Sequence, residues 1–85
     1  MSMIPIKVLF FGMLSDQVSD AEYRAEVPEG SSAADIYSRA CENSSLVPLA
    51  QRPNVKVAIN QELKNWDSTL SAGDEIAFLP PVTGG

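Results

Sequence analysis

The end of the chain holds the strongest candidates for chemistry, in the run Pro80-Pro81-Val82-Thr83-Gly84-Gly85. Because each proline fixes φ near the polyproline value, this segment is predicted to leave the last strand as an extended rod. The two glycines lack Cβ atoms, so they can enter a channel too narrow for other residues. We therefore predict that Gly85 presents its carboxylate to an enzyme as a substrate; the alternative is an ordinary frayed terminus.

The rest of the sequence is poor in groups for self-contained catalysis. Its 85 residues include no histidine and one cysteine, Cys41. This composition excludes an internal disulfide, a Cys/His metal site and a histidine-based catalytic triad. Asp74 and Glu75 follow Gly73, where an aspartate is ordinary turn chemistry, and no third group accompanies them. We therefore expect a non-catalytic chain that binds no metal or cofactor and whose reactions are carried out by partner enzymes.

The charge and hydropathy of the sequence argue against two classes of partner, nucleic acids and membranes. Six Lys and Arg residues stand against eleven Asp and Glu, which gives a net charge of −5, and the basic residues are scattered. This pattern disfavours nucleic-acid binding. No stretch approaches the roughly 20 apolar residues of a membrane span, and the start lacks the features of a signal peptide. We expect a cytoplasmic protein with no membrane partner.

The hydrophobic periodicity predicts the order ββαβββ in one α+β domain. Strands are predicted at 6–11, 21–27, 55–60, 63–66 and 75–79, with the helix at 33–42 and Ser31 or Ser32 as its cap. A short turn or helical piece is expected within 13–19, and a loop at 43–54. This order indicates a β-grasp, in which a mixed sheet packs on one main helix. The domain is predicted to span 1–79 and the extended tail 80–85.

Alternation along the first and last strands predicts an apolar surface. In the first strand, positions alternating with the core-facing ones direct Leu9 and Phe11 to the other side of the sheet. Leu79 has the same outward parity, and Leu63 follows a turn beside the third strand. We predict that Phe11, Leu63 and Leu79 form one apolar patch that docks partners. The alternative is that Phe11 completes a second small core.

Three segments, 6–12, 57–62 and 70–85, together resemble the ubiquitin-like sulphur carriers, and within them the molybdopterin synthase small subunits, or MoaD group. The most specific part is Gly-Asp-Glu leading through an apolar strand into Pro-Pro-Val-Thr-Gly-Gly. The resemblance implies that an adenylating enzyme, using ATP and Mg, activates the Gly85 carboxylate. A sulphur donor then converts it to a thiocarboxylate, which supplies sulphur to cyclic pyranopterin monophosphate to form the molybdopterin dithiolene.

The resemblance also implies two protein partners. One is the large subunit of molybdopterin synthase, in a heterotetramer with two small subunits, and the other is the adenylating and sulphurating enzyme. The apolar patch and the tail residues Pro80, Pro81, Val82, Thr83 and Gly84 would bind them alternately. The chain departs from its relatives after the first strand, where they often carry a basic residue and this sequence has Ser15 and Asp16.

Other functions fit parts of the same pattern. A thiocarboxylate carrier could serve thiazole, tRNA thiolation or cysteine synthesis, and a ubiquitin-like modifier would join Gly85 to lysines of target proteins. A non-covalent interaction module with an inert tail is a third possibility. Lys7, Lys56 and Lys64 could accept an isopeptide bond but resemble ordinary solvated lysines.

Cys41, on the apolar stripe of the helix, is interpreted as a buried side chain that fills space in the core and whose thiol has a raised pKa. Tyr23, Tyr37 and Trp66 are expected to pack on the sheet.

Overall fold

The computed structural model describes residues 2–42, 44–46 and 54–80. The elements follow the predicted order: β1 (Met3–Phe10), a short 3₁₀ helix (Gly12–Gln17), β2 (Glu22–Pro28), α1 (Ala33–Glu42), β3 (Lys56–Ile59), β4 (Glu62–Lys64) and β5 (Glu75–Leu79). The predicted bounds of α1 and β5 are confirmed. The predicted starts or ends of the other strands are shifted, most of all in β1 and β4.

The first strand starts at Met3, three residues before the predicted start at Ile6. The predicted start rested on the β-branched and aromatic run that begins at Ile6, whereas Pro5 lacks an N–H to donate to a ladder. It is accommodated because its backbone faces away from β2, and its carbonyl accepts a hydrogen bond from Gly73 N at 2.7 Å. The strand therefore passes through the proline without losing a bond to β2.

The predicted strand at 63–66 is shorter and ends before Trp66. Ser68 N donates to Asn65 O at 3.1 Å, which closes a turn around Trp66. The indole packs inward, 5.5 Å from the Tyr37 ring and 5.8 Å from the Phe78 ring. Aromatic packing at these distances favours the turn over continued strand, and it confirms the expectation that Trp66 packs within the fold.

The five strands form one mixed sheet in the order β2-β1-β5-β3-β4. The central pair, β1 and β5, is parallel, and the other pairs are antiparallel. On one side, called here the helix-facing side, the sheet and α1 enclose the core. Its most buried side chains include Val8, Leu14, Tyr37, Val55, Val57, Ile76 and Phe78. The other side of the sheet, called the outer side, carries no helix within the described residues.

Ser32, rather than Ser31, caps α1. Asp35 N donates to Ser32 Oγ at 3.2 Å, and Ser32 N donates to Asp35 Oδ2 at 3.0 Å. These reciprocal bonds satisfy backbone donors that a helix start leaves open. Ser31 instead donates from Oγ to Pro28 O at 2.6 Å and closes the preceding turn. The cap fixes where the helix enters, and hence which of its side chains reach the sheet.

Candidate functional site

The tail leaves the sheet beside the end of β1. Because β1 and β5 are parallel, their last residues lie at the same end of the sheet, and Phe11 N donates to Phe78 O at 3.1 Å. Gly12 follows with a φ of +58°, a left-handed value that favours glycine. A Cβ on Gly12 would lie 2.7 Å from Pro80 Cγ. The missing side chain of Gly12 thus gives Pro80 its packing position and sets where the tail starts.

Five of the predicted site residues, Pro81, Val82, Thr83, Gly84 and Gly85, lie outside the described residues. Their roles, and the extended conformation expected of them, stay predictions. Pro80 is described and is partly buried. The structure therefore places the root of the tail, next to Gly12 at the carboxyl ends of the two central strands.

Phe11 and Leu79 lie together on the outer side, beside this root. The Phe11 side chain is 46% exposed and does not belong to the core cluster, so the second-core interpretation is wrong. Leu79 is the last residue of β5 and is partly buried. The Phe11 to Phe78 backbone bond holds the two neighbouring strand ends in register. An exposed aromatic ring and a leucine thus flank the point where the tail departs.

Leu63 is exposed, at 67%, but it does not contact this pair directly. It lies on β4, two strands from β5, which is about 10 Å at the usual strand spacing. The register connects them through a row that crosses the sheet: Leu9, Ala77, Ala58 and Leu63 are successive partners. The predicted patch is therefore larger than three residues. The outer apolar surface is defined here as Leu9, Phe11, Ala58, Leu63, Ala77 and Leu79.

The two alanines of this surface were missed at the sequence level. Ala58 and Ala77 are 7% and 9% exposed, yet neither belongs to the core cluster. They occupy the same outward parity as Leu79, which is the signal that could have identified them. Because their side chains are small, the middle of the surface forms a shallow depression between Leu9 and Leu63.

Charged side chains lie beside this surface on the outer side. Lys7 Nζ lies 3.2 Å from Glu22 Oε2 and 4.0 Å from Glu75 Oε2, and all three side chains are partly exposed. Lys56 is exposed next to Leu79, its partner in the β3–β5 ladder. Such exposed pairs stabilise a fold little, but charges beside an apolar surface help to orient a partner. The outer side thus has an apolar half near the tail, bordered by Lys56, and a charged half around Lys7 further from the tail.

Asp74 is a turn residue, as interpreted from the sequence. Its carboxylate accepts hydrogen bonds from Ser71 N at 2.8 Å and from Asn60 Nδ2 at 2.9 Å. Asn60 Oδ1 in turn accepts from Glu75 N at 3.0 Å. These bonds tie the β3–β4 turn to the start of β5. They occupy the carboxylate structurally, which agrees with its assignment to turn chemistry.

Cys41 is only partly buried, whereas its position on the apolar stripe of the helix predicted a buried side chain. Desolvation and, secondarily, the nearby Glu42 carboxylate raise the pKa of its thiol, which confirms the predicted direction. Tyr23 packs on the core beside Phe10, and burial raises the pKa of its phenol. Tyr37 also packs in the core, as predicted.

Among the described residues, no cluster of three or more His, Cys, Asp or Glu side chains could hold a metal ion. Within the same residues, no helix has both the length and the hydrophobicity that crossing a bilayer requires. The cytoplasmic location expected from the sequence stays a prediction.

Comparison with known proteins gives consistent matches over nearly the whole chain. The ThiS family model matches residues 8–85. The chain is 37% identical to the molybdopterin synthase sulfur carrier subunit of Escherichia coli, over 94% of this chain and 99% of that protein.

Two solved structures show the same fold. One is the putative molybdopterin converting factor subunit 1 of Pyrococcus furiosus, with a TM-score of 0.74 at 22% identity over 93% of this chain and 99% of that one. The other is a chain of the complex of subunits 1 and 2 of the molybdopterin-converting factor from Helicobacter pylori. Its TM-score is 0.65 at 24% identity, over 96% of this chain and 100% of that one. At these identities the two structures establish the β-grasp fold, which confirms the predicted fold class.

Proposed function

Because this chain belongs to the ThiS family, we propose that it is the sulphur carrier subunit of molybdopterin synthase. The observation that carries the proposal is the position of the tail root. Pro80 leaves the sheet next to Gly12 and beside the exposed Phe11 ring. A partner that covers the outer apolar surface is therefore placed to receive the tail. The name of the E. coli relative supports the same assignment.

The first step is activation of the Gly85 carboxylate by an adenylating enzyme. A carboxylate oxygen attacks the α-phosphorus of ATP and pyrophosphate leaves, which forms an acyl adenylate. Hydrosulphide delivered by the sulphur donor then attacks the acyl carbon and AMP leaves, which gives the thiocarboxylate. Activation is needed because a carboxylate is a poor electrophile, whereas AMP is a good leaving group. This chain supplies the reacting carboxylate, and the family match runs through Gly85.

The second step takes place on the large subunit. The thiocarboxylate sulphur forms a bond to a carbon of the cyclic pyranopterin precursor as that carbon's bond to an oxygen substituent breaks, and water then cleaves the acyl–sulphur bond. The sulphur stays on the pterin and Gly85 regains its carboxylate. A dithiolene holds two sulphurs, so each product consumes two charged carriers. With no histidine in the sequence, the acid and base groups are assigned to the large subunit.

Docking of both enzymes is assigned to the outer apolar surface. Burying exposed apolar area releases about 25 cal/mol per Å², and large aromatic side chains near an interface centre are frequent hot spots. Phe11 and Leu63 are the large exposed side chains of this surface. Since both enzymes must take up the same tail, they bind in turn, and the charged half around Lys7 lies at the rim.

Activation can be tested with the full chain, ATP and the adenylating enzyme, by pyrophosphate exchange and by intact mass after a sulphur donor is added. We expect ATP-dependent exchange and a mass gain equal to one oxygen-to-sulphur replacement. A chain lacking Gly85 should show neither. Exchange without sulphur uptake, together with covalent products at lysines of other proteins, would contradict the carrier assignment and indicate a protein modifier.

A further inference from the structure

One edge of the sheet is open in the described part of the chain. β2 pairs with β1 on one side and with no described strand on the other. At the ends of the β1–β2 ladder, Phe10 N donates to Ala21 O at 2.8 Å and Glu29 N donates to Ser2 O at 2.9 Å. In an antiparallel ladder bonded residues alternate, so the register directs the backbone groups of the intervening residues away from the sheet. These are Glu22, Arg24, Glu26 and Pro28.

We propose that this edge binds a second copy of the chain, with the two β2 strands antiparallel about a two-fold axis at Ala25. This interaction goes beyond the carrier function and does not depend on it. In this register Arg24 of each copy lies opposite Glu26 of the other, and both exchange backbone hydrogen bonds. Glu22 lies opposite Pro28, which has no N–H to donate and so ends the ladder.

Charge selects this register over its neighbours. The outer-side side chains read Glu22, Arg24, Glu26 along the strand, and the two-fold axis at Ala25 pairs each Arg24 with an opposite charge. An axis at Arg24 would place the two arginines opposite each other. An axis at Tyr23 would also pair each Arg24 with a glutamate, Glu22, but it would place Glu26 opposite Asp20. Directly opposed like charges destabilise a strand pair, whereas opposite charges stabilise it.

The helix-facing side of the same edge is apolar and incompletely covered. Tyr23 and Ala25 are partly buried and pack against the margin of the core. They also line a cavity of about 330 Å³ between β2 and α1. In the proposed register Tyr23 of one copy meets Val27 of the other, and the two Ala25 side chains meet at the axis. Pairing thus covers apolar surface on one side of the strand while it matches charges on the other.

The proposed contact is separate from the docking contact. Arg24 and Glu26 are partners of Lys7 and Pro5 in β1, on the charged half of the outer side and away from Phe11. Edge pairing of this kind buries little surface, and interfaces below about 1,200 Å² are usually transient. Each copy also carries a net charge of −5, and the resulting repulsion opposes association. We therefore expect weak self-association that grows with protein concentration.

The test is the mass in solution of the full chain by analytical ultracentrifugation, from dilute to concentrated protein. The wild type should move from 9.1 kDa toward twice that value. Arg24→Glu and Glu26→Arg each create two like-charge pairs, so each variant should remain monomeric alone. When the two variants are mixed, both cross-strand pairs become opposite in charge, and association should return. Glu22→Gln, opposite Pro28, is the matched control and should associate like the wild type.

A wild type that remains at 9.1 kDa throughout would overturn the proposal, including the case in which the edge serves a strand of another protein. Association that survives both charge reversals would also overturn it, because another surface would then be responsible. Failure of the mixed variants to associate would reject the register at Ala25. Binding of the large subunit by Arg24→Glu reports on the carrier function separately, and it should match the wild type.

Discussion

The two sides of the sheet are built from alternating residues of the same strands, yet they differ in what covers them. On the helix-facing side, Phe78 is fully buried and its ring lies 5.1 to 5.8 Å from those of Phe10, Tyr37 and Trp66. On the outer side, the next residue, Leu79, is only partly buried, and nearby Phe11 is 46% exposed. Both sides have an apolar region, but only one is complete within the described chain.

This difference separates stability from recognition. Side chains enclosed between sheet and helix lose their packing when truncated, so their substitution unfolds the domain. Exposed apolar side chains contribute little to the fold of the free chain, and their contacts are made with a partner. Under the proposed function, a single sheet in a chain of 85 residues thereby provides both a core and a docking surface. The substitutions below test whether the two sides are as independent as this account requires.

The largest effect is expected from adjacent substitutions in β5. Phe78→Ala should lower the free energy of unfolding by about 3–5 kcal/mol, because it opens a cavity among three aromatic rings. Leu79→Ala, one residue later on the outer side, should cost less, about 1–2 kcal/mol, because that side chain is only partly buried and opens no enclosed cavity. Urea denaturation measures both. Equal losses would show that the outer side is part of the core.

The next effect concerns docking. Phe11→Arg should weaken binding of the large subunit by about 2 kcal/mol or more, roughly thirtyfold in Kd. The unfolding free energy should stay within about 0.5 kcal/mol of the wild type, as for other exposed positions. Isothermal titration calorimetry and urea denaturation give the two values. Glu29→Arg, a charge reversal in the exposed β2–α1 turn, is the control and should retain full affinity. Unfolding of Phe11→Arg would support the rejected second-core interpretation.

A smaller effect is expected where the two sides meet at the tail root. Gly12→Ala introduces a Cβ 2.7 Å from Pro80 Cγ at a φ of +58°. We expect a loss of stability of about 1 kcal/mol from the backbone conformation and a slower sulphur transfer, because Pro80 must shift. Gly73→Ala is the matched control: its φ is +87°, but nothing lies near the added Cβ. If both variants transfer sulphur equally well, Gly12 has no role in placing the tail.

The smallest effect is expected at Cys41, at the margin of the helix-facing side. Burial and Glu42 raise the pKa of its thiol, so the folded chain holds the proton more tightly than the unfolded chain. Stability from this group is present below the thiol's ordinary pKa and is lost as pH rises through the folded value. The rate of alkylation by iodoacetamide should therefore rise at higher pH in the folded protein than in urea. Coincident profiles would contradict this.

Much of this arrangement could be predicted from local patterns. The 3.6-residue period and the serines before Ala33 located α1, and the two-residue period assigned Phe11 and Leu79 to the outer side. The incorrect predictions concerned features that depend on contacts between residues far apart in sequence. Leu63 was grouped directly with Phe11 because the order β5-β3-β4, which separates them, depends on long-range pairing.

Two local errors have similar causes. The start of β1 was placed at Ile6, where the β-branched and aromatic run begins, but the strand extends back through Pro5, whose carbonyl accepts a hydrogen bond from Gly73, far along the chain. Trp66 was assigned to a strand by its β propensity, whereas its ring packs against Tyr37 and Phe78 from a turn. In each case tertiary contacts outweighed the secondary-structure preference of the local sequence.

The central claim, that the chain carries sulphur on Gly85 to a partner docked on its outer side, is tested most directly by single turnover. The Gly85 thiocarboxylate form is mixed with the large subunit and cyclic pyranopterin monophosphate, and molybdopterin formation is followed against the uncharged chain. The account predicts product only with the charged form, at two carriers consumed per product. No product, with a large subunit that is active with another carrier, would contradict it.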